Sequence, residues 1–295
     1  MVVKQKTKFR PTVLTRHPSH ENFKKGLILM PFRSIIRFGS TTTLDVYNSR
    51  RKTRLNEAQM AKIVEINSVE GIKNSSDKLK MKKCFNLAEI ETADWWTTQD
   101  GIKFKPYDLH DPVTIDELEF PIIAKHRYGS RGTGNTLVKT KEELQSWLQH
   151  KTLSSYIFEK YYSYVREYRL HVTKNGCFYA CRKMLKRDTP ENEKYQRHDD
   201  NCVWYMENNP GFDRPVNWTN IVKDCVNALI TLKLDVAGFD VRVQSSKTKD
   251  GSLRDNPEWI IIESNSACSH GNVTTDKYLQ EIPKLLQDKW LNKIK

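Results

Sequence analysis

The chain has 295 residues, 38% of them hydrophobic, which is enough apolar side chain for a sizeable core in one or two domains. No apolar run approaches the roughly 20 residues that span a bilayer, and the basic start MVVKQKTKFR has no apolar signal core behind it. Membrane-spanning and secreted classes are therefore set aside in favour of an intracellular, cytoplasmic protein.

The net charge of +13 is unevenly placed: Met1 to Lys83 hold 19 Lys and Arg against 6 Asp and Glu, and the remainder holds 30 of each. A basic stretch joined to a neutral module suggests a surface for a polyanion such as nucleic acid, a ribosome or an acidic peptide. A solvated leader is the plainer reading. No nucleic-acid motif accompanies the charge, so such contact would be electrostatic and salt-sensitive. The six cysteines make no CxxC pair and no zinc-ligand spacing. Cys177 and Cys181 are expected as buried thiols on one face of a strand.

Residues 1–25, with Pro11 and Pro18, read as an irregular basic arm. Residues 26–115 read as a shortened N-terminal and approach region. In it LILMPF and SIIRFGS suggest short strands, NEAQMAKIVEIN a helix followed by a strand, and DKLKMKKCFNLAEI a helix with a Ser76-Asp77 start signal. Residues 116–160 are expected to form a small lid subdomain: PIIAK and NTLVK are strands around a Gly-rich loop, Thr140 to Glu143 is a capping box before EELQSWLQH, and YIFEKYY is a further strand. Residues 161–295 are expected to form a larger subdomain. There REYRLHVT and CFYACRKML flank the hairpin signal Lys174-Asn175-Gly176, and Asp188 to Arg214 reads as a polar, substrate-facing loop. NWTNIVKDCVNALITLKL carries a helical apolar stripe, VAGFDVRVQ and EWIIIESN are strands, and TTDKYLQEIPKLLQDKW closes as a helix with Pro283 inside it.

Four segments carry chemistry. Gly129, Gly132 and Gly134, with Ser130, Arg131 and Thr133, make a loop able to offer backbone N–H groups to phosphates, or else a plain glycine-rich turn. It lacks the GKS or GKT ending of a Walker loop and leads into a strand, which argues against a dinucleotide fold. Lys125 and Lys183 sit in apolar strands, where an ammonium calls for an anionic partner or a path to solvent. Glu159 and Glu167 bracket a tyrosine-rich stretch, where a carboxylate after a strand can accept from ribose hydroxyls; plain surface carboxylates are the simple alternative. Asp240 with Arg242, and Glu263 with Asn265, each share a strand face by two-residue alternation, so antiparallel pairing of those strands would converge three oxygen-bearing side chains suited to Mg²⁺. A salt bridge of Asp240 or Glu263 with Arg169 or Arg242 is the competing reading.

In order and spacing these segments resemble the ATP-grasp superfamily, closest to its carboxylate-amine ligase branch with the ribosomal-protein glutamate-ligase-like and D-alanine:D-alanine ligase-like enzymes. The resemblance covers roughly Ile66 to Asn272, and INSVEGIKNSSDKLKM, with Asp77 and Lys78, looks like the family's approach segment. It implies an α+β ATP-grasp fold, two subdomains clasping ATP, with a shortened basic N-terminal region. It further implies that Lys125 and Lys183 bind phosphate, that Gly129 to Gly134 is the mobile loop, that Glu159 with Lys160, Tyr161 and Tyr162 is the adenine hinge, and that Glu167 meets the ribose. Asp240, Glu263 and Asn265 match metal ligands, for two Mg²⁺ ions or Mn²⁺ in their place, and Arg169 matches an arginine near the transferred phosphoryl group, with Arg242 beside it. The family activity is ATP-dependent joining of a carboxylate and an amine, both unidentified here. A small-molecule kinase on the same fold and an ATP-gated binding protein are the alternatives. The chain departs from the family in its short basic N-terminal region and in the lack of family substrate motifs between Asp188 and Trp218.

Overall fold

The computed structural model describes residues 7–43, 56–99, 103–106, 112–130, 132–198 and 200–294. Strands β1 (Thr12–Thr15), β2 (Ser34–Phe38) and β3 (Val64–Ile66) pair in parallel in that order, and helices α1 (Glu21–Gly26) and α2 (Glu57–Met60) fall between them. β2 is buried along its whole length, as expected of a strand covered on both faces. The described part of the stretch expected to be an irregular arm is therefore folded. Phe23 of α1 is wholly buried, in one cluster with Phe38, Ile66 and the C-terminal Tyr278 and Ile282. LILMPF is not a strand: Leu27, Met30 and Phe32 are buried while Ile28 and Leu29 are exposed, a spacing without the two-residue period of a strand.

Next come α3 (Val69–Ser76) and α4 (Lys78–Leu87), capped by Ser68 and Asp77 respectively. They lead into a sheet formed by β4 (Trp95–Gln99), β5 (Lys103–Pro106), β6 (Val113–Thr114), β7 (Ile122–His126), β8 (Thr136–Val138) and β9 (Tyr156–Lys160). Its order is β6-β5-β4-β9-β7-β8. This sheet thus begins near Trp95 instead of residue 116, because WWTTQ pairs with β9 far along the chain. Helix α5 (Lys141–Leu148) starts as the capping signal requires: the Glu143 N–H donates to Thr140 Oγ1 at 3.2 Å, although the Glu143 carboxylate accepts from the Lys139 N–H, 2.7 Å, one residue earlier than in the standard box.

The remaining strands form one antiparallel sheet, β12-β11-β10-β13-β14, from β10 (Arg166–Thr173), β11 (Gly176–Leu185), β12 (Cys202–Met206), β13 (Val236–Val243) and β14 (Trp259–Asn265). β12 lies inside the stretch expected to be a loop. In the hairpin between β10 and β11, Gly176 takes φ +121, a value open to glycine. One sheet face, with Tyr168, Leu170, Val172, Phe239 and Val241, packs on α4 and on α6 (Trp218–Thr231), whose Ile221, Cys225 and Leu229 are fully buried. The register shift between His171 and Val172 adds a residue to β11, so Cys177 joins this core while Cys181 pairs with Arg169 on the opposite face. The two thiols therefore do not share a face. Helix α7 (Asn272–Ile294) runs continuously through Pro283 and covers the first sheet.

Candidate active site

Alternation along β10, β11 and β13 puts every second side chain on the face away from α6, and there the charged residues meet. Asp240 lies opposite Arg169 on one side and Glu263 on the other; Glu167 lies opposite Lys183 and Arg242. The Arg169 guanidinium forks onto both Asp240 oxygens, Nε to Oδ1 at 2.7 Å and Nη2 to Oδ2 at 2.8 Å, the bidentate geometry of a strong pair. Lys183 Nζ bridges Asp240 Oδ2 at 2.9 Å and Glu167 Oε1 at 3.0 Å, and Glu167 Oε2 accepts from Arg242 Nε at 3.0 Å and Arg197 Nη1 at 3.1 Å. Burial pushes the Glu167 carboxyl upward, but Lys183, Arg242 and Arg197 outweigh it and hold the group well below the usual carboxylate range. Asp240 is lowered in the same way, burial being overcome by Arg169 and Lys183. Trp204 of β12 places its ring over Arg169 and Lys183, each 5.4 Å from the centroid.

The second sheet faces this floor. Lys125, next to last in β7, is in salt-bridge contact with Glu159 of β9 at 2.7 Å, and Lys82 of α4 approaches the same carboxylate oxygen at 3.4 Å. Lys82 is completely buried, and that burial brings its ammonium down to about 8 despite Glu159. Glu159, expected against adenine, instead balances two lysines, and its buried Oε1 has no hydrogen-bond partner. Glu167, expected at a ribose, is likewise enclosed by three cations. In the Gly-rich loop, the Thr133 N–H donates to the Ser130 carbonyl at 3.0 Å and the Asn135 N–H to the Gly132 carbonyl at 3.0 Å. Gly132 has φ +77, and a Cβ there would collide with the Gln196 amide.

Between the sheets lies a cavity of about 910 Å³, within the range of nucleotide-sized sites. Its lining includes Lys125, Ser130, Gly132, Thr133, Glu159, Lys160, Tyr161, Tyr162, Glu167, Arg169, Lys183, Asp240, Arg242, Glu263 and Asn265. Gly129 and Gly134 are not among the lining residues, and Arg131 lies outside the described residues. Sequence reasoning missed Lys78, Lys82, Tyr195, Arg197, Trp204 and His17. Of these, Lys78 and Lys82 lie four apart on the side of α4 that also buries Met81 and Phe85. Arg197 and Tyr195 come from the polar stretch after β11, the Tyr195 carbonyl accepting from Arg242 Nη2 at 2.9 Å.

Asp240 and Glu263 are direct cross-strand partners. Glu263 is half-buried on the cavity wall, with the Asn265 amide 3.4 Å away. Among the described residues no group of three His, Cys, Asp or Glu side chains forms a metal cluster; Asn265 Nδ2 donates to Glu263 Oε1 at 3.4 Å, and the Asn265 amide oxygen would be a third ligand only with the amide turned over. This all-oxygen set fits a hard ion such as Mg²⁺ through Glu263; at Asp240 the same oxygens are held by Arg169 and Lys183.

No protein-family model matches the sequence, and no curated protein does. Solved structures match its shape. D-alanine–D-alanine ligase from Bacillus anthracis superposes with TM-score 0.58 at 15% identity, over 97% of each chain. Carboxyaminoimidazole ribonucleotide synthase from Aspergillus clavatus, complexed with ATP, gives 0.56 at 12% identity over 86% of this chain and 60% of the synthase, so this chain spans less than two thirds of that protein. The ATP-grasp ligase PsnB, solved with a minimal precursor, gives 0.53 at 12% identity over 87% of this chain and 78% of that one. The chain has the α+β fold of the ATP-grasp ligases. Among the described residues no helix is long and apolar enough to cross a membrane.

Proposed function

We propose that this chain is an ATP-dependent ligase that joins a carboxylate to an amine through an acyl phosphate, releasing ADP and phosphate. The observation that carries the reading is the facing pair Asp240 and Glu263, ringed by Lys125, Lys183 and Arg169 in one nucleotide-sized cavity. Among the described residues six cations line this cavity (Lys125, Lys160, Arg169, Lys183, Arg197 and Arg242), with Lys78 and Lys82 buried beside it, against five carboxylates, Glu159, Glu167, Asp200, Asp240 and Glu263. A polyphosphate supplies the missing negative charge.

In this reading a carboxylate oxygen of the substrate bonds to the γ-phosphorus of ATP while the bond to the β,γ-bridging oxygen breaks, its electron pair leaving on ADP. An amine nitrogen then bonds to the acyl carbon, the carbon–oxygen bond to phosphate breaks, phosphate leaves with the pair, and the amine proton passes to solvent. Lys125 and Lys183 oppose the phosphate charge from roof and floor, and the Gly-rich loop offers N–H groups above it. Lys160 to Tyr162, which line the cavity at the end of β9, would take the base, while Glu167 holds Lys183, Arg197 and Arg242 at the floor. Arg169 and Arg242 stabilise the charge that grows on the phosphoryl and tetrahedral oxygens. Asp240, Glu263 and Asn265 would hold Mg²⁺, which when bound neutralises phosphate oxygens.

The test is incubation of the protein with ATP, Mg²⁺ and a pool of acids and amines, following phosphate release and the mass of every product. ADP, free phosphate and an amide are expected. A phosphorylated product in place of an amide would make the protein a kinase, and bound but unconsumed ATP would make it a binding protein.

A further inference from the structure

Helix α4 belongs to both halves of the cavity. Its Met81 and Phe85 are buried in the core beneath β10 and β13, so the helix is fixed to the floor. Its first turn grips the roof. Asp77 caps the helix by accepting from the Leu79 N–H at 3.0 Å, and the same carboxylate takes the Arg127 guanidinium on both oxygens, Nε to Oδ1 at 3.1 Å and Nη2 to Oδ2 at 2.6 Å. The Tyr128 hydroxyl donates to Asp77 Oδ2 at 3.2 Å. The Lys78 N–H donates to the Arg127 carbonyl at 3.0 Å, and the Lys78 ammonium donates to the Gly129 carbonyl.

Capping a helix requires one carboxylate oxygen and one backbone N–H. Asp77 makes three further bonds, all to the two residues that join β7 to the Gly-rich loop. A bidentate fork fixes direction as well as distance, so it sets how the chain leaves β7. Arg127 is braced from behind, its N–H donating to the Ser155 carbonyl at 2.9 Å and Nη1 to the Ser154 carbonyl at 3.1 Å. Burial lowers the Lys78 ammonium while Glu263 draws it back up, which places the loop's tether in the field of a candidate metal ligand. We propose that Asp77 is a positioning residue: through Arg127 and Tyr128 it fixes the root of the Gly129–Gly134 loop relative to Asp240 and Glu263. The inference rests on the ATP reading for what the loop covers; the clamp itself is independent of it.

Asp77→Asn keeps a good helix cap and loses the charged fork, and Arg127→Gln loses the fork from the other side. Each is expected to speed amide exchange in residues 128–135 of the ATP-free protein several-fold and to weaken ATP binding by about 10-fold, the size of one charge-assisted bond. The double variant should be no worse than either single one, because all three remove the same contact. Should Asp77→Asn melt early, Arg127→Lys keeps the charge, removes the fork and gives the same two readouts. Unchanged loop exchange and ATP affinity, or losses that add in the double variant, would overturn the proposal. If the wild-type protein binds no ATP, the functional reading falls while the exchange measurement still decides the clamp.

Discussion

On the floor of the cavity Asp240 and Glu167 have every carboxylate oxygen bound to a cation, whereas on the roof the Gly-rich loop is held chiefly at its root and by bonds within itself. The floor is therefore a structural element as well as a site. Removing one member leaves buried charges without partners, which costs far more than the pair contributes. The roof can be altered with smaller consequences for the fold. Glu263 lies at the border between them, a cavity carboxylate outside the ion network.

The largest effect is expected where that contrast is sharpest. Asp240→Asn leaves Arg169 and Lys183 buried and underneutralised, so it should lower stability by about 3 to 5 kcal/mol and abolish turnover. Glu263→Gln should abolish turnover as well, yet change stability by less than about 1 kcal/mol. Denaturant unfolding of the two variants checks this. Equal losses of stability would mean that the floor is no more tightly integrated than its border.

Lys125 and Lys183, the two lysines proposed to bind phosphate, divide along the same line. Each substitution to Ala should weaken ATP binding by roughly 1.5 to 3 kcal/mol, read by calorimetric titration. Lys125→Ala leaves Lys82 to neutralise Glu159, so the fold should tolerate it. Lys183→Ala strips a partner from both Asp240 and Glu167, and the protein should also melt earlier. Undiminished ATP affinity in both variants would remove these lysines from the site.

A region away from the floor adds a pH test. Burial lowers His171, next to Tyr278, to about 3, and His270, packed between His20 and Tyr278, to about 3 as well. In the unfolded chain both would titrate near 6.5. Below that pH the unfolded state binds protons that the fold refuses, so stability is fully present above about 6.5 and falls as pH drops toward 3. The slope is up to about 1.4 kcal/mol per pH unit for each histidine, or roughly 2 kcal/mol by pH 5. Chemical denaturation at pH 7.5 and pH 5 measures it, and His270→Phe should flatten the difference. The floor carboxylates, already lowered, should contribute little over that range.

The floor was legible in the sequence because strand alternation places Asp240 and Arg242 on one face and apolar Val241 and Val243 on the other, a pattern that needs no knowledge of partners. What stayed hidden depended on distant partners. WWTTQ becomes a strand by pairing with β9, and CVWYM by pairing with β11. Lys78 and Lys82 sit in a run of lysines that reads as a solvated helix face until Glu159 and the Gly129 carbonyl are seen against them. The cysteine pair was misplaced by a bulge that no local pattern announces.

That burial of lysines also revises the meaning of the basic N-terminal region, and so frames the smallest expected effect. Part of the excess ahead of Cys84 is internal: Arg37 is buried and paired with Glu65 at 2.5 Å, and Lys78 and Lys82 are buried against the Gly129 carbonyl and Glu159. Lys8, Arg10 and Lys25 are exposed, Arg10 donating to the Lys24 and Lys25 carbonyls at 3.4 and 3.3 Å. If this surface recruits a polyanion, each contact that neutralises a phosphate should contribute a slope of about −0.7 to −0.9 in log K against log salt, with each exposed charge contributing well under 1 kcal/mol near physiological salt. Replacing Lys8, Arg10 and Lys25 with Gln should therefore reduce the salt slope for a homopolymeric RNA by about 2 to 3, without altering ATP affinity. Lys82→Gln should do the reverse, lowering ATP affinity and leaving the slope unchanged. An unaltered slope in the triple variant would leave these residues as a solvated surface. A fall in ATP affinity in that variant would instead tie the N-terminal surface to the cavity, where His17 already forms part of the lining.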